Sequence, residues 1–172
     1  EGPAGFGFKL AATWMGKIEN PDEAPENWSM TRRKIPWGHG RRLFGSSVLS
    51  MGGTCFIYGS VDAVVDGRVR KQMLLARVPT DRLEDFSAWR FFADGEWVDD
   101  ADRAGPVCDD VAAEFSVSYQ PAADRYVLVY TESGLSEHIA LRFAGKPQGP
   151  WGPPIRVYRC PEIDWDPRIF CY

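Results

Sequence analysis

Residues 109–131 read DDVAAEFSVSYQPAADRYVLVYT. Two Asp residues come first, and an alternating run then begins at Glu114. A Pro/Ala/Asp turn follows at residues 121–124, and an aromatic, β-branched run ends at Thr131. Alternating or β-branched runs on both sides of a turn predict a β-hairpin. We therefore expect Glu114 at the mouth of a hairpin and the two Asp residues in the loop before it.

The same plan occurs earlier in the chain, in residues 44–59, FGSSVLSMGGTCFIYG. This copy has a small-residue strand, a Gly-Gly turn and an aromatic strand that ends in Tyr58, as the later copy ends in Tyr130. Each copy is followed by a strand with an Arg among apolar residues, and then by a Trp that opens a fourth segment. These two tryptophans are Trp89 and Trp151, and Trp28 precedes the first copy. The three recur at intervals of about 61 residues.

Repeats with four strands in each unit are typical of β-propeller blades. The alternative is a β-sandwich in which the Trp spacing is coincidental. A chain of 172 residues holds fewer than three such units, whereas a closed propeller needs at least ~4. We therefore predict an all-β, partial β-propeller of about two and a half blades that belongs to a larger protein. Residues 1–42 would be the second half of a blade, 43–100 and 110–160 two blades, and 161–172 the start of the next.

Charge and cysteine content exclude several classes of function. The chain has 20 basic and 24 acidic residues, a net charge of −4, and no basic run longer than residues 32–34, which argues against nucleic-acid binding. No apolar stretch approaches the ~18 residues of a membrane span. The four cysteines show no metal-ligand spacing. We expect neither a metal site nor a cofactor, and we expect the strand cysteines to be buried apolar residues.

Strand direction in a propeller sorts the loops between two faces. Successive strands of a blade are antiparallel, so the start of the first strand lies on the same face as the end of the second. One face then collects both histidines and most of the loop carboxylates. This pattern predicts a polar, carboxylate-lined funnel at one end of the axis, built from residues 39–42, 62–66, 109–114, 132–138 and 164–168.

Several runs resemble a bacterial family of five-bladed β-propellers that is known as a domain of unknown function: GSSVLSMGGTCFIYGS, LLARVP, AWRFFADGEW, AEFSVSYQPAADRYVLVYT and IALRFAGKPQGPWG. That family is similar in fold to the arabinanase and β-fructosidase group of glycoside hydrolases, and some members are endo-D-arabinanases. The resemblance covers residues 28–172. It implies a furanose-containing polysaccharide such as arabinan as substrate, with the remaining blades or a second chain covering the open edges. We expect an extracellular or periplasmic location.

The alternative function is a non-catalytic propeller that binds carbohydrate or protein, since a fold does not fix a function. Glycoside hydrolysis usually takes two carboxyl groups, one as acid and one as base or nucleophile. Glu114 is the candidate acid because its apolar neighbours would bury it, and the resembling hydrolases also carry a Glu at the start of an inner strand. Asp110, or its neighbour Asp109, is the candidate partner. The structural alternatives are a strand-capping or Arg-paired Glu114 and turn-forming aspartates.

The expected funnel face also carries candidates for contacts with a sugar. Charged and polar residues of its loops could contact hydroxyl groups, and these are His39, Arg42, Asp62 and His138. Trp37 and Trp165 break the tryptophan repeat and fall in funnel-side loops, so we expect them to stack on sugar rings. The three repeating tryptophans are expected to pack between blades.

Overall fold

The computed structural model describes residues 11–37, 42–134, 136–166 and 168. This part of the chain contains β-strands and single-turn 3-10 helices. The strands form three antiparallel sheets, which we call the small hairpin, the first sheet and the second sheet. The small hairpin is β1 (Trp14–Ile18) and β2 (Met30–Lys34). The first sheet is β3 (Arg42–Met51), β4 (Thr54–Val65), β5 (Arg68–Pro79), β6 (Arg90–Ala93), β7 (Glu96–Val98) and β8 (Cys108–Val111). The second sheet is β9 (Phe115–Gln120), β10 (Arg125–Thr131), β11 (His138–Ala144) and β12 (Ile155–Arg159).

A long hairpin dominates the first sheet. β4 and β5 pair over their full 12 residues, as far as Val65 opposite Arg68. The turn between them is Asp66-Gly67, with φ of 51° and 73°, and an Asp-Gly pair with positive φ suits a tight hairpin turn. Residues 62–66 were expected to form a loop, and this prediction is wrong for residues 62–65. The β-branched residues on both strands keep the pairing continuous to the turn.

The hairpin extends beyond its neighbour and exposes a strand edge. β6 pairs with β5 only at Ala76 and Arg77, so the opposite half of β5 would have open N–H and C=O groups. β8 covers this edge, with Met73 opposite Cys108 and Lys71 opposite Val111. The expected loop at residues 109–111 is therefore a strand. Its pairing partner lies more than 35 residues away along the chain, where local patterns give no signal.

The second sheet is an antiparallel meander in the order β12-β11-β10-β9, with one register shift at Ile139 and Ala140 between β11 and β12. Its β9–β10 hairpin turns through a 3-10 helix at Pro121–Ala123, and the predicted hairpin is confirmed. The all-β fold is confirmed as well, and four consecutive antiparallel strands are the pattern of a propeller blade. The chain is thus a partial β-propeller. A total of five blades and the boundaries of the units stay predictions.

Two apolar clusters hold the sheets together. Successive residues of β5 enter different clusters, because their side chains point to opposite faces of the sheet: Leu74 packs with Trp89 and Phe91, whereas Leu75 packs with Leu128 and Tyr130. The second of these clusters joins the two sheets. Polar contacts reinforce it, since Tyr58 Oη donates to Pro147 O at 3.0 Å and Val117 N donates to Ser47 Oγ at 2.9 Å. This packing fixes the ends of β8 and β10 beside each other.

The three repeating tryptophans do not share one environment. Trp89 is buried and donates to Leu83 O at 3.0 Å. Trp151 is half-buried against the cluster between the sheets. Trp28 is 41% exposed and donates to Glu23 O, so the prediction that all three pack between blades is wrong for Trp28. Within the described residues, the small hairpin has no second pair of strands to cover this ring.

Candidate functional site

A groove lies where the long hairpin meets β8 and the turn after β10. Its volume is about 500 Å³, and we call it the bulge groove. A second cavity of about 520 Å³ shares Arg70 and Asp110 with it and adds Gln72 and Asp109. The bulge groove is lined by residues of the first sheet and of the turn after β10, most of them charged or polar: Asp62, Arg68, Val69, Arg70, Lys71, Asp110, Val111, Ser133 and Gly134.

Asp110 owes its position to a β-bulge. The register between β5 and β8 shifts between Lys71 and Gln72, so Asp110 is the extra residue. Its φ of 58° is in the left-handed region, which non-glycine residues rarely adopt and which bulges use to redirect a side chain. Arg70 Nη1 lies 3.0 Å from Oδ1, and Ser133 Oγ lies 3.4 Å from Oδ2. One carboxylate is therefore held by both sheets.

Asp62 supplies the other carboxylate of the bulge groove. It lies opposite Lys71 in the hairpin, and Lys71 Nζ is 2.6 Å from its Oδ1. Asp62 and Asp110 thus face one groove, each beside a cation. Sequence reasoning identified both aspartates but missed Arg70, Lys71 and Ser133. The run RVRK opposite an Asp-bearing strand end was the available signal, because cations and carboxylates often pair across strands.

Asp109 turns away from the bulge groove. Its Oδ1 accepts a 2.7 Å hydrogen bond from Gln72 Nε2, and it lines the second cavity. Its carbonyl oxygen accepts from Arg142 Nη2 at 3.4 Å and from Cys108 Sγ at 3.6 Å. Cys108 is buried directly beside the bulge, and this burial raises the pKa of its thiol to about 11.

Glu114 is exposed and directly precedes β9. The prediction that its apolar neighbours bury it is wrong. Phe115 points into the core, and adjacent residues of an extended chain point to opposite sides. Phe115 lies opposite Tyr130. Glu114 is therefore at the end of the second sheet where β10 ends and the turn after it begins. It is not among the residues that line the described grooves.

His138 and Trp165 belong to a charged cluster at the ends of β11 and β12. Arg159 Nη2 lies 3.1 Å from Glu137 Oε2 and 2.7 Å from Asp164 Oδ1. The hydrogen bond from Arg159 lowers the pKa of Asp164. His138 Nδ1 is 3.8 Å from Glu137 Oε1, whereas the Trp165 ring is 80% exposed. None of these residues lines the bulge groove.

The remaining sequence candidates lie elsewhere. Arg42 Nε donates to Ala104 O at 3.5 Å, and Nη1 is 4.0 Å from Asp102 Oδ1, so Arg42 does not line the bulge groove. The Trp37 ring is half-buried, with centroids 5.4 Å from Trp89 and 4.9 Å from Phe91. These contacts pack Trp37 against the first apolar cluster, and its stacking on a sugar ring stays a prediction. His39 lies outside the described residues.

Another cavity, of about 870 Å³, lies between the small hairpin and residues 80–87. We call it the hairpin groove. Its charged residues pair with one another: Lys17 Nζ is 2.9 Å from Glu84 Oε1, and Arg82 Nη2 is 2.5 Å from Asp85 Oδ2. No residue of the predicted funnel face lines this cavity. Two carboxylates of that face, Asp62 and Asp110, line the bulge groove instead.

Two other features are absent from the described ranges. These ranges contain no group of three His, Cys, Asp or Glu side chains placed to hold a metal ion. They also contain no helix that is long and apolar enough to cross a membrane.

The chain is similar to several solved structures. A protein from Bacteroides ovatus provisionally named a hydrolase aligns with a TM-score of 0.57 and 13% identity, over 88% of this chain and 43% of its own. A GH43 β-1,3-galactosidase aligns with a TM-score of 0.44 and 17% identity, over 71% of this chain and 25% of its own. A Bifidobacterium bifidum protein provisionally named an exo-β-1,3-galactanase aligns with a TM-score of 0.43 and 20% identity, over 71% of this chain and 39% of its own.

The chain spans less than half the length of each of these structures. At 13% identity, the Bacteroides structure supports the fold alone. No curated protein matches the sequence. A family model matches residues 9–164, which is most of the chain. The chain therefore belongs to the family described as Domain of unknown function (DUF4185).

Proposed function

We propose that this chain is part of a glycoside-hydrolase-type propeller that binds a furanose-containing polysaccharide, such as an arabinan, in the bulge groove. The observation that carries the proposal is the meeting of Asp62 and Asp110 in one groove with Arg70, Lys71 and Ser133. Carboxylates accept hydrogen bonds from sugar hydroxyls, whereas guanidinium and ammonium groups donate to ring and hydroxyl oxygens. The resemblance to propellers that include arabinanases supports the choice of sugar.

The proposed chemistry uses Asp110 as the carboxylate that attacks the sugar or activates water. Its bulge aims it into the groove, and Arg70 and Ser133 each hold one of its oxygens. Glu114 is our candidate for the acid because it lies at the end of the second sheet where the turn with Ser133 lines the groove. Asp62 competes for this role because it lines the groove itself. His138 and Trp165 would contact sugar units beyond the groove.

The test measures release of reducing ends from debranched arabinan. Asp110→Asn should lower the rate by about 100-fold or more, as expected for loss of a catalytic carboxyl group. Comparison of Glu114→Gln with Asp62→Asn identifies the acid, since only the variant of the true acid shows a loss of the same order. Asp81→Asn, in the hairpin groove, is the matched control. Activity unchanged in Asp110→Asn would contradict the proposal.

A second candidate function is binding without catalysis. Both groove carboxylates already pair with cations, Asp62 with Lys71 and Asp110 with Arg70, and such paired groups suit hydroxyl recognition. In this case the wild-type chain would retain arabinan in affinity electrophoresis and release no reducing ends. Asp110→Asn would then weaken the retention. A polysaccharide partner also supports our proposal of an extracellular or periplasmic location.

A further inference from the structure

We propose that Arg142 is a positioning residue, which holds the bulge in the conformation that aims Asp110 into the bulge groove. Its relevance to sugar binding rests on the proposed function, whereas its effect on the bulge does not. The Arg142 side chain leaves β11 of the second sheet and reaches β8 of the first sheet. It therefore ties the most irregular element of one sheet to the regular frame of the other.

Three hydrogen bonds fix the Arg142 guanidinium. Nε donates to Tyr130 Oη at 2.8 Å, Nη1 donates to Gly152 O at 3.3 Å, and Nη2 donates to Asp109 O at 3.4 Å. The first two acceptors belong to the second sheet and the loop that follows β11. They leave the planar guanidinium little freedom to rotate. The third nitrogen is thereby directed at the bulge.

The carbonyl that Arg142 binds belongs to the peptide group that joins Asp109 to Asp110. The orientation of that peptide plane determines φ of Asp110, which is 58°. Left-handed φ costs free energy in a non-glycine residue and persists only where the surroundings enforce it. A donor on Asp109 O, together with Gln72 on the Asp109 carboxylate, opposes the peptide rotation that would return Asp110 to extended geometry. Arg142 thus acts on Asp110 through the backbone.

The chain offers a matched control in Arg77. Arg77 occupies the same position of the repeat, on the third strand of the first unit. Its guanidinium lies 4.2 Å from the centroid of the Trp97 ring, and burial lowers its pKa. Arg77→Met removes packing and a cation–π contact, so the interactions it loses are similar in strength to those lost in Arg142→Met. It leaves every contact of the bulge in place.

The first experiment needs no ligand. Amide hydrogen exchange would be followed by NMR in wild type, Arg142→Met, Arg142→Lys and Arg77→Met. We expect exchange at residues 108–111 in Arg142→Met to rise about tenfold or more relative to residues 74–76. Arg142→Lys should show a smaller, equally local rise, and Arg77→Met no local rise. The same exchange pattern in Arg142→Met and Arg77→Met, or no change at residues 108–111, would overturn the proposal.

If Arg142→Met does not fold, Arg142→Lys decides the question. Lysine keeps one charged donor group but lacks the planar, multiple-donor guanidinium. If the proposal is correct, the faster exchange in Arg142→Lys is confined to residues 108–111. Faster exchange spread over both sheets would indicate a purely structural role. This result does not depend on whether any sugar binds.

The second experiment measures affinity for debranched arabinan in a double-mutant cycle. If Arg142 acts through Asp110, Arg142→Met weakens binding, and the double variant with Asp110→Asn is no weaker than Asp110→Asn alone. Additive losses would overturn the positioning role. No binding by the wild-type chain would contradict the proposed function, and the exchange experiment would still decide the role of Arg142.

Discussion

The first and second sheets share one repeated plan, yet they differ in regularity. The second sheet has strands of no more than seven residues in simple sequential order, with a single register shift between β11 and β12. The first sheet has a hairpin of 12-residue strands, a register shift in β3–β4 and the added strand β8. Seven residues that line the bulge groove come from the first sheet, and only Ser133 and Gly134 come from the turn after β10. The groove therefore forms where the repeat is interrupted.

The largest effect is expected at Gly59, where the two sheets differ most. Tyr58 and Tyr130 are equivalent, so Gly59 corresponds to Thr131. The register shift brings β3 so close that a Cβ at Gly59 would lie 2.8 Å from Phe44 Cα and overlap Leu43 O. Because these are backbone atoms, Gly59→Ala should lower the free energy of unfolding by about 3 kcal/mol or more. Urea denaturation measures this change.

Gly16→Ala is the control, since its new Cβ would meet only Met30 Sδ at 3.7 Å. It should change stability by less than about 1 kcal/mol. If Gly59→Ala proved as stable as the control, the close approach of β3 to β4 would be wrong. The first sheet would then be as regular as the second.

The next effect tests what the two sheets have in common. Leu74 and Leu128 are both fully buried, in the first and second sheets respectively. Each substitution to Ala removes apolar contacts and leaves a cavity, at a cost of about 2–5 kcal/mol. Both variants should unfold in a single transition, because the cluster between the sheets couples them. Two separate transitions in thermal unfolding would show that the sheets are independent.

A smaller effect depends on pH and is specific to β8. Burial raises the pKa of Cys108 to about 11 from an ordinary value of 9.0. The contribution of the neutral thiol to stability is complete below pH 9 and is lost as the pH rises through 11. Between pH 8 and pH 10.5 the free energy of unfolding should fall about 1–2 kcal/mol more in wild type than in Cys108→Ala. Urea titrations at both values measure the difference.

Burial also raises the pKa of Tyr58. The free energy of unfolding of Cys108→Ala should therefore still fall somewhat at alkaline pH. An equal loss in both proteins would contradict the burial of Cys108 beneath the bulge. The second sheet offers no buried thiol in its described strands, which makes this pH dependence a probe of the first sheet.

Local patterns predicted most of the fold and part of the site. Strand alternation and turn residues located both hairpins, and the repeated Arg and Tyr positions indicated equivalent units. The pairing of β8 with β5 was missed because it joins residues distant in sequence. The bulge at Asp110 follows from that pairing, so its geometry was equally hidden. The exposure of Glu114 and the packing of Trp37 were missed for one reason: sequence gives the neighbours along the chain but not the packing around a side chain.

The central claim is that the interruption of the first sheet creates a polysaccharide site at Asp110. The most direct test is amide hydrogen exchange of the chain with and without debranched arabinan. We expect slower exchange at residues 62–71, 108–111 and 133–134 when arabinan is present, with residues 80–87 of the hairpin groove unchanged. Slower exchange centred on residues 80–87, or no change anywhere, would contradict it.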